Sequence, residues 1–136
     1  MRQSTNVNVL LLGIEGWSNA LRQALPPRQK DSFWGVSNVW DLCALPQAVL
    51  VEIAVFHHSF ASHELRYAAE YIRRRWPDAV ILVIGEQARQ LDDPLYDHRM
   101  SRGISLEELV WMIETSVAEK RRISRNVLFT LINTRR

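Results

Sequence analysis

Ala48-Val49-Leu50-Val51-Glu52-Ile53-Ala54-Val55 is apolar at every position but one. A strand with one wet face alternates apolar and polar residues. A near-continuous apolar run instead fits a parallel strand covered on both faces. The covering helices must come from the flanking sequence. Leu65, Ala68, Ala69, Ile72 and Trp76 recur at helical spacing, and Pro77 closes that helix. Val80-Ile81-Leu82-Val83-Ile84 is a second such run, ending at Gly85, and reads as the next buried strand.

Working outward, Val7-Asn8-Val9-Leu10-Leu11-Leu12 ends at Gly13 and reads as the first strand. A short helix over 18–25 follows, with Ser18 as N-cap and Pro26-Pro27 as its stop. Residues 33–36 read as the second strand, and 39–45 as a helix ended by Pro46. Beyond Gly85, residues 88–91 form a weak helical stretch broken by Asp92-Asp93-Pro94, and 97–101 a short polar edge strand. Ser105-Leu106-Glu107-Glu108 is a capping box that opens a strong helix, with Leu106, Leu109, Val110, Ile113 and Val117 on one face. Strand and helix alternate throughout. The predicted fold is α/β, a five-stranded parallel sheet between two helical layers in the flavodoxin-like manner.

The chain has 136 residues, 47% of them apolar and 24% charged. That is the length of one domain, long enough to fold without a metal or disulfide. The lone Cys43 cannot form an internal disulfide, which suits a reducing cytosol. The apolar run 9–12 is too short for a signal peptide, and no stretch reaches the roughly 18 apolar residues of a membrane span. The expectation is a cytoplasmic domain without a membrane partner.

Charge is divided unevenly. Residues 119–136 hold six cations against one anion, and the remainder 11 against 14. The chain thus reads as a domain over 1–118 and a basic amphipathic helical extension over 119–136. Ile123, Val127, Leu128 and Leu131 could form a second apolar stripe on that extension. In a lone domain the stripe would lie beyond the sheet and offer a surface to a protein partner or a second copy. The alternative is that it folds back on its own domain.

In open α/β sheets, ligands bind outside the carboxyl ends of the strands. Gly13, Ile14 and Glu15 fall there after the first strand, and Glu52 in or after the third. Gly85 and Glu86 follow the fourth strand and Arg102 the fifth. Glu52 interrupts an apolar strand, where a carboxylate needs a partner or an exposed strand end. Arg102 is the candidate partner.

In order and spacing these segments resemble the receiver domain of bacterial two-component response regulators, over residues 5–118. Pro46-Gln47-Ala48-Val49-Leu50-Val51-Glu52 resembles the segment that ends in the phosphoacceptor aspartate. Arg102-Gly103-Ile104-Ser105-Leu106-Glu107-Glu108-Leu109 resembles the Lys-Pro-Phe-Ser-x-Glu-Glu-Leu run that opens the last receiver helix. On this resemblance the two magnesium-binding aspartates correspond to Gly13 and Ile14, and the phosphoacceptor to Glu52. The hydroxyl residue corresponds to Gly85 and the lysine to Arg102.

Each departure has a chemical consequence. Magnesium needs oxygen ligands, and Gly13 and Ile14 carry none on their side chains. Glutamate is a methylene longer than aspartate, which displaces the nucleophile. Gly85 cannot reach a phosphoryl oxygen, and Arg102 replaces a point charge by a planar fork. The resemblance therefore implies a pseudo-receiver: a signal-transduction and protein-interaction module, not an enzyme, with no cofactor and no metal. Glu52 and Arg102 would form a standing ion pair. The partner face would be the family's fourth helix, fifth strand and fifth helix, here with His98, Arg99, Trp111 and Glu114. Two alternatives remain open. One is a working receiver with an altered phosphoacceptor pocket in a phosphorelay. The other is a nucleic-acid-associated regulator using the basic tail, disfavoured by the acidic body and the lack of a reading head.

Other residues read more simply. His57, His58 and His63 match no metal-ligand spacing and read as polar loop residues. Cys43 is expected to be packed in an apolar helix. Arg73-Arg74-Arg75 read as cations at a helix C-terminus. Trp111 is expected at a partner surface, and Trp17, Trp34, Trp40 and Trp76 in or near the core.

Overall fold

The computed structural model describes residues 7–57, 61–85 and 95–134. The elements are β1 (Val9–Leu12), α1 (Glu15–Ala24), α2 (Pro27–Lys30), β2 (Phe33–Val36) and α3 (Val39–Cys43), followed by β3 (Ile53–Phe56), α4 (Ser62–Arg75), β4 (Val80–Ile84), β5 (His98–Met100) and α5 (Leu106–Thr134). The five strands pair in parallel in the order β2-β1-β3-β4-β5. This is the expected α/β sandwich.

Alternation along each strand splits the core in two. Leu10, Leu12, Ala54, Phe56, Ile81 and Val83 face one way, against Leu42 of α3 and Leu65, Ala68, Ala69 and Ile72 of α4. Val9, Leu11, Ile53, Val55, Leu82 and Ile84 face the other way, against Leu21 of α1 and Leu109, Ile113 and Val117 of α5. With both faces covered, β1 and β3 are buried at every residue. This is the physical reason for their unbroken apolar runs.

The third strand is displaced from its expected place. It starts at Ile53, not at 48, because β1 sets the register, pairing Val9 with Ile53 and Leu12 with Phe56. The preceding residues turn, with the Val49 N–H donating to the Pro46 carbonyl at 3.0 Å. Val49 and Val51 are buried in this turn while Leu50 is 60% exposed. The Trp76 indole donates to the Val49 carbonyl at 3.0 Å and fixes the turn against the end of α4. An apolar run alone does not distinguish a strand from a buried turn.

Smaller differences have local causes. α1 starts at Glu15 with Ile14 as N-cap and no side-chain cap, so Ser18 lies inside the helix. α1 ends at Ala24, just ahead of Pro26-Pro27 as expected, and Pro27 also opens the one-turn α2, as its fixed φ allows at a first helical position. The five-residue α3 buries Leu42, leaving Trp40 85% exposed and Cys43 exposed, not packed. The helical stretch expected at 88–91 lies outside the described residues. Among those residues no helix is long and apolar enough to cross a membrane.

Candidate functional site

The strand order reverses direction between β1 and β3, where open α/β sheets form their ligand crevice. Two residues meet at that point. Gly13 follows β1 and His57 follows β3, and the His57 N–H donates to the Leu12 carbonyl at 2.9 Å. The His57 side chain is buried, 2% exposed. Its ring lies 4.8 Å from the ring of Trp17 on α1, tilted by 58°. A Cβ built on Gly13 would stand 3.1 Å from the His57 Cβ. Histidine, indole and glycine backbone therefore fill the crevice at its centre.

Gly85 closes β4 with a φ of 115°, a conformation that side chains rarely adopt. Its N–H donates to the Met100 carbonyl at 2.9 Å. Ile14 is 50% exposed and Glu15 is exposed at the start of α1. Arg102 is exposed in the turn after β5. Gly13, Ile14, Glu15, Gly85 and Arg102 thus lie around the carboxyl ends of the strands.

Glu52 does not. It precedes β3, at the amino end of the sheet, where its N–H donates to the Asn8 carbonyl at 3.0 Å. The Val80 N–H donates to its carbonyl at 2.9 Å. Its carboxylate accepts from the Asn8 N–H at 3.4 Å. The four residues of β3, about 13 Å at strand rise, separate it from the crevice. The expected ion pair with Arg102 is therefore not formed, because the two residues flank opposite ends of the sheet. The residue in the expected place of Glu52 is His57. Its signal in the sequence is the end of the apolar run at Phe56, followed at once by His57-His58.

The expected partner residues also separate. His98 and Trp111 line one groove at the amino end of the sheet, with Trp111 63% exposed. Glu114 lies on the other flank of α5, in a cleft with Pro26 and Arg28. Arg99 is exposed on β5. Ile123, Val127 and Leu128 belong to the later turns of α5, whose side chains lie outside the described residues.

Two of the three clustered arginines hold the fold together. Arg73 donates to the Ala79 carbonyl at 2.7 Å and to the Asp97 carboxylate at 2.9 Å. Arg75 donates to the Leu45 and Pro46 carbonyls at 3.1 and 2.7 Å and lies 4.4 Å over the Trp76 ring. Only Arg74 of the three is exposed. These contacts draw Arg73 and Arg75 away from a phosphate-binding role.

No protein-family model and no curated protein matches this chain. Solved structures do. The signal receiver domain of an HD domain-containing protein from Pseudomonas fluorescens Pf-5 superposes with a TM-score of 0.68 at 11% identity, covering 92% of this chain and 96% of that one. The beryllofluoride-activated NtrC4 receiver domain dimer gives 0.65 at 14%, covering 85% and 98%. A response regulator from Thermotoga maritima gives 0.57 at 12%, covering 83% and 98%.

The fold is the receiver fold. The magnesium that the resemblance associates with this fold does not fit the residues described here. Gly13 and Ile14 offer no side-chain oxygen, His57 follows the end of β3, and the carboxylate nearest in the chain after β1 is that of Glu15, at the first position of α1. Among the described residues no three His, Cys, Asp or Glu side chains are grouped to hold a metal ion.

Proposed function

We propose that this domain is a receiver-type signalling module that docks protein partners without accepting a phosphoryl group at an aspartate–magnesium centre. The observation that carries the reading is the buried His57 beside Gly13, at the β1/β3 crossover. Receiver chemistry on the family pattern needs a carboxylate nucleophile and two further carboxylates within bonding distance of one metal ion. Here the corresponding ground holds an imidazole, a glycine and an isoleucine. Glu52, the carboxylate expected as acceptor, is a strand length away. Its work then lies in its surfaces rather than in catalysis.

Two surfaces are offered to partners. One carries His98 on β5 and Trp111 on α5. The other is the C-terminal part of α5, with Ile123, Val127 and Leu128. An indole exposed to 63% of its surface suits a docking anchor.

Trp17 reports on the crevice through its contact with His57. In a magnesium titration followed by tryptophan emission, we expect no saturable change. A saturable change that disappears in Trp17→Phe would overturn the reading in favour of a working receiver with an altered pocket.

A further inference from the structure

We propose that the groove at the amino end of the sheet docks an extended basic segment of a protein partner, with a lysine or arginine two positions from an apolar residue. The inference rests on the reading of the domain as a docking module and names the chemistry of one partner. The groove encloses about 930 Å³. α5 lines it from Trp111 to Lys120, about 13 Å at helical rise. The turns before β3 and β4 line its other side. Among their residues Val51, Trp76 and Ala79 are buried and give the groove an apolar floor.

Five large apolar side chains are exposed among the described residues. Three stand apart, Ile14 at the cap of α1, Trp40 on α3 and Tyr67 on α4. Leu50 and Trp111 share the groove, 60% and 63% exposed. Scattered apolar residues need no explanation, but two on the walls of one groove mark a contact surface. Burial alternates along the turn before β3, with Val49 and Val51 buried and Leu50 and Glu52 open to solvent. Leu50 and Glu52 therefore present an apolar side chain and a carboxylate about 7 Å apart. Residues i and i+2 of an extended partner chain have the same spacing and face the same way.

Charge selects the sign of the occupant. Glu52, Asp78 and Glu119 line the groove, with Arg75, Lys120 and His98. Glu119 is ion-paired with Arg122. The Arg75 guanidinium is drawn behind the groove, to the Leu45 and Pro46 carbonyls and the Tyr71 hydroxyl, none of which line it. The Lys120 ammonium donates to the Asp78 carbonyl. Formal charge is thus nearly even, and the selection lies in what is left open. Both cations have donors turned to neutral oxygens. The Glu52 carboxylate accepts only from the Asn8 N–H, at 3.4 Å, and the Asp78 carboxylate accepts nothing. Two carboxylates with open acceptors beside an exposed indole suit a cationic donor. An acidic segment would set like charges together without a donor for either carboxylate.

The test titrates the full chain with a blocked peptide, acetyl-Lys-Ser-Leu-Ser-Lys-amide, which offers the spacing in either chain direction. The amide resonances of Val51 and Ala79, on the floor of the groove, should shift saturably with a Kd below about 1 mM. The same peptide with glutamate in place of lysine should give no saturable shift. Glu52→Gln combined with Asp78→Asn should raise the Kd at least about threefold, since each removes one exposed charge pair. Trp111→Ala should raise it by about as much or more. Circular dichroism melts matching the parent's establish that these variants are folded. Equal binding of the glutamate peptide, an unchanged Kd in the double variant, or no saturable shift up to about 5 mM would overturn the inference. None of these results bears on the magnesium titration, which decides the functional reading separately.

Discussion

A β-carbon at position 13 would stand 3.1 Å from the Cβ of His57. Both atoms are tied to paired strands, since β1 and β3 are in register at Leu12 and Phe56 up to the point where the two residues emerge. Neither backbone can move away cheaply. Gly13→Ala should therefore destabilise the domain by about 1 kcal/mol, and Gly13→Asp, with atoms beyond Cβ beside the imidazole, by about 2 kcal/mol or more. His57→Ala should recover about 1 kcal/mol of the aspartate penalty, since neighbouring substitutions couple. Urea unfolding of the four chains measures the coupling. Additive losses would show that the crevice is not filled by this pair.

Asp97 ties β5 to β4. Its carboxylate accepts from the Ile81 N–H at 2.7 Å and from Arg73 at 2.9 Å, and its own N–H donates to the Ile81 carbonyl at 2.9 Å. The ion pair is partly exposed, 23% and 39%, and contributes little by itself. The N–H bond matters more. Asp97→Ala should cost about 1–2 kcal/mol by orphaning the amide, and Asp97→Asn should restore most of it. Unfolding midpoints that depend steeply on salt would show instead that the charge pair dominates.

Trp76 couples α4 to the turn before β3. It is 3% exposed, donates to the Val49 carbonyl and carries Arg75 on its face. Trp76→Phe should cost about 1–2 kcal/mol for the lost hydrogen bond and contacts, and Trp76→Ala about 3–5 kcal/mol. Thermal unfolding followed by circular dichroism would register both. Equal losses would mean that the indole N–H contributes nothing.

The start of α5 is capped as its sequence indicates. The Glu108 N–H donates to the Ser105 hydroxyl at 3.1 Å, and the Ser105 N–H donates to the Glu108 carboxylate at 3.3 Å. Ser105→Ala should lower stability by about 1 kcal/mol, and Ser105→Asp should keep most of it. Chemical denaturation of the two variants compares them directly.

Sheet and layers were legible because their signals are local. Residues 33–36 and 80–84 are apolar over the full strand, and the Ser105 capping box marks a helix start without reference to the rest of the chain. The crevice was not legible at its centre. Glu52 stood out as the polar residue within an apolar run, yet strand register with β1 starts β3 one residue later. That single pairing ends the strand at Phe56, brings His57 to the crevice and leaves Glu52 at the opposite end of the sheet. Exposure of Trp40 was hidden for a related reason. A five-residue helix buries Leu42 with Val39 partly packed beside it, and Trp40, Asp41 and Cys43 face water.

The central claim is that the crevice at the β1/β3 crossover does not take a phosphoryl group on an acidic side chain. The direct measurement is intact mass at neutral pH after incubation with magnesium and a small phosphodonor, alongside the His57→Asp variant. The account predicts an unmodified mass for the parent chain at all times. A phosphoryl adduct that maps to Glu15 in the parent would contradict it and restore a working receiver with an altered pocket.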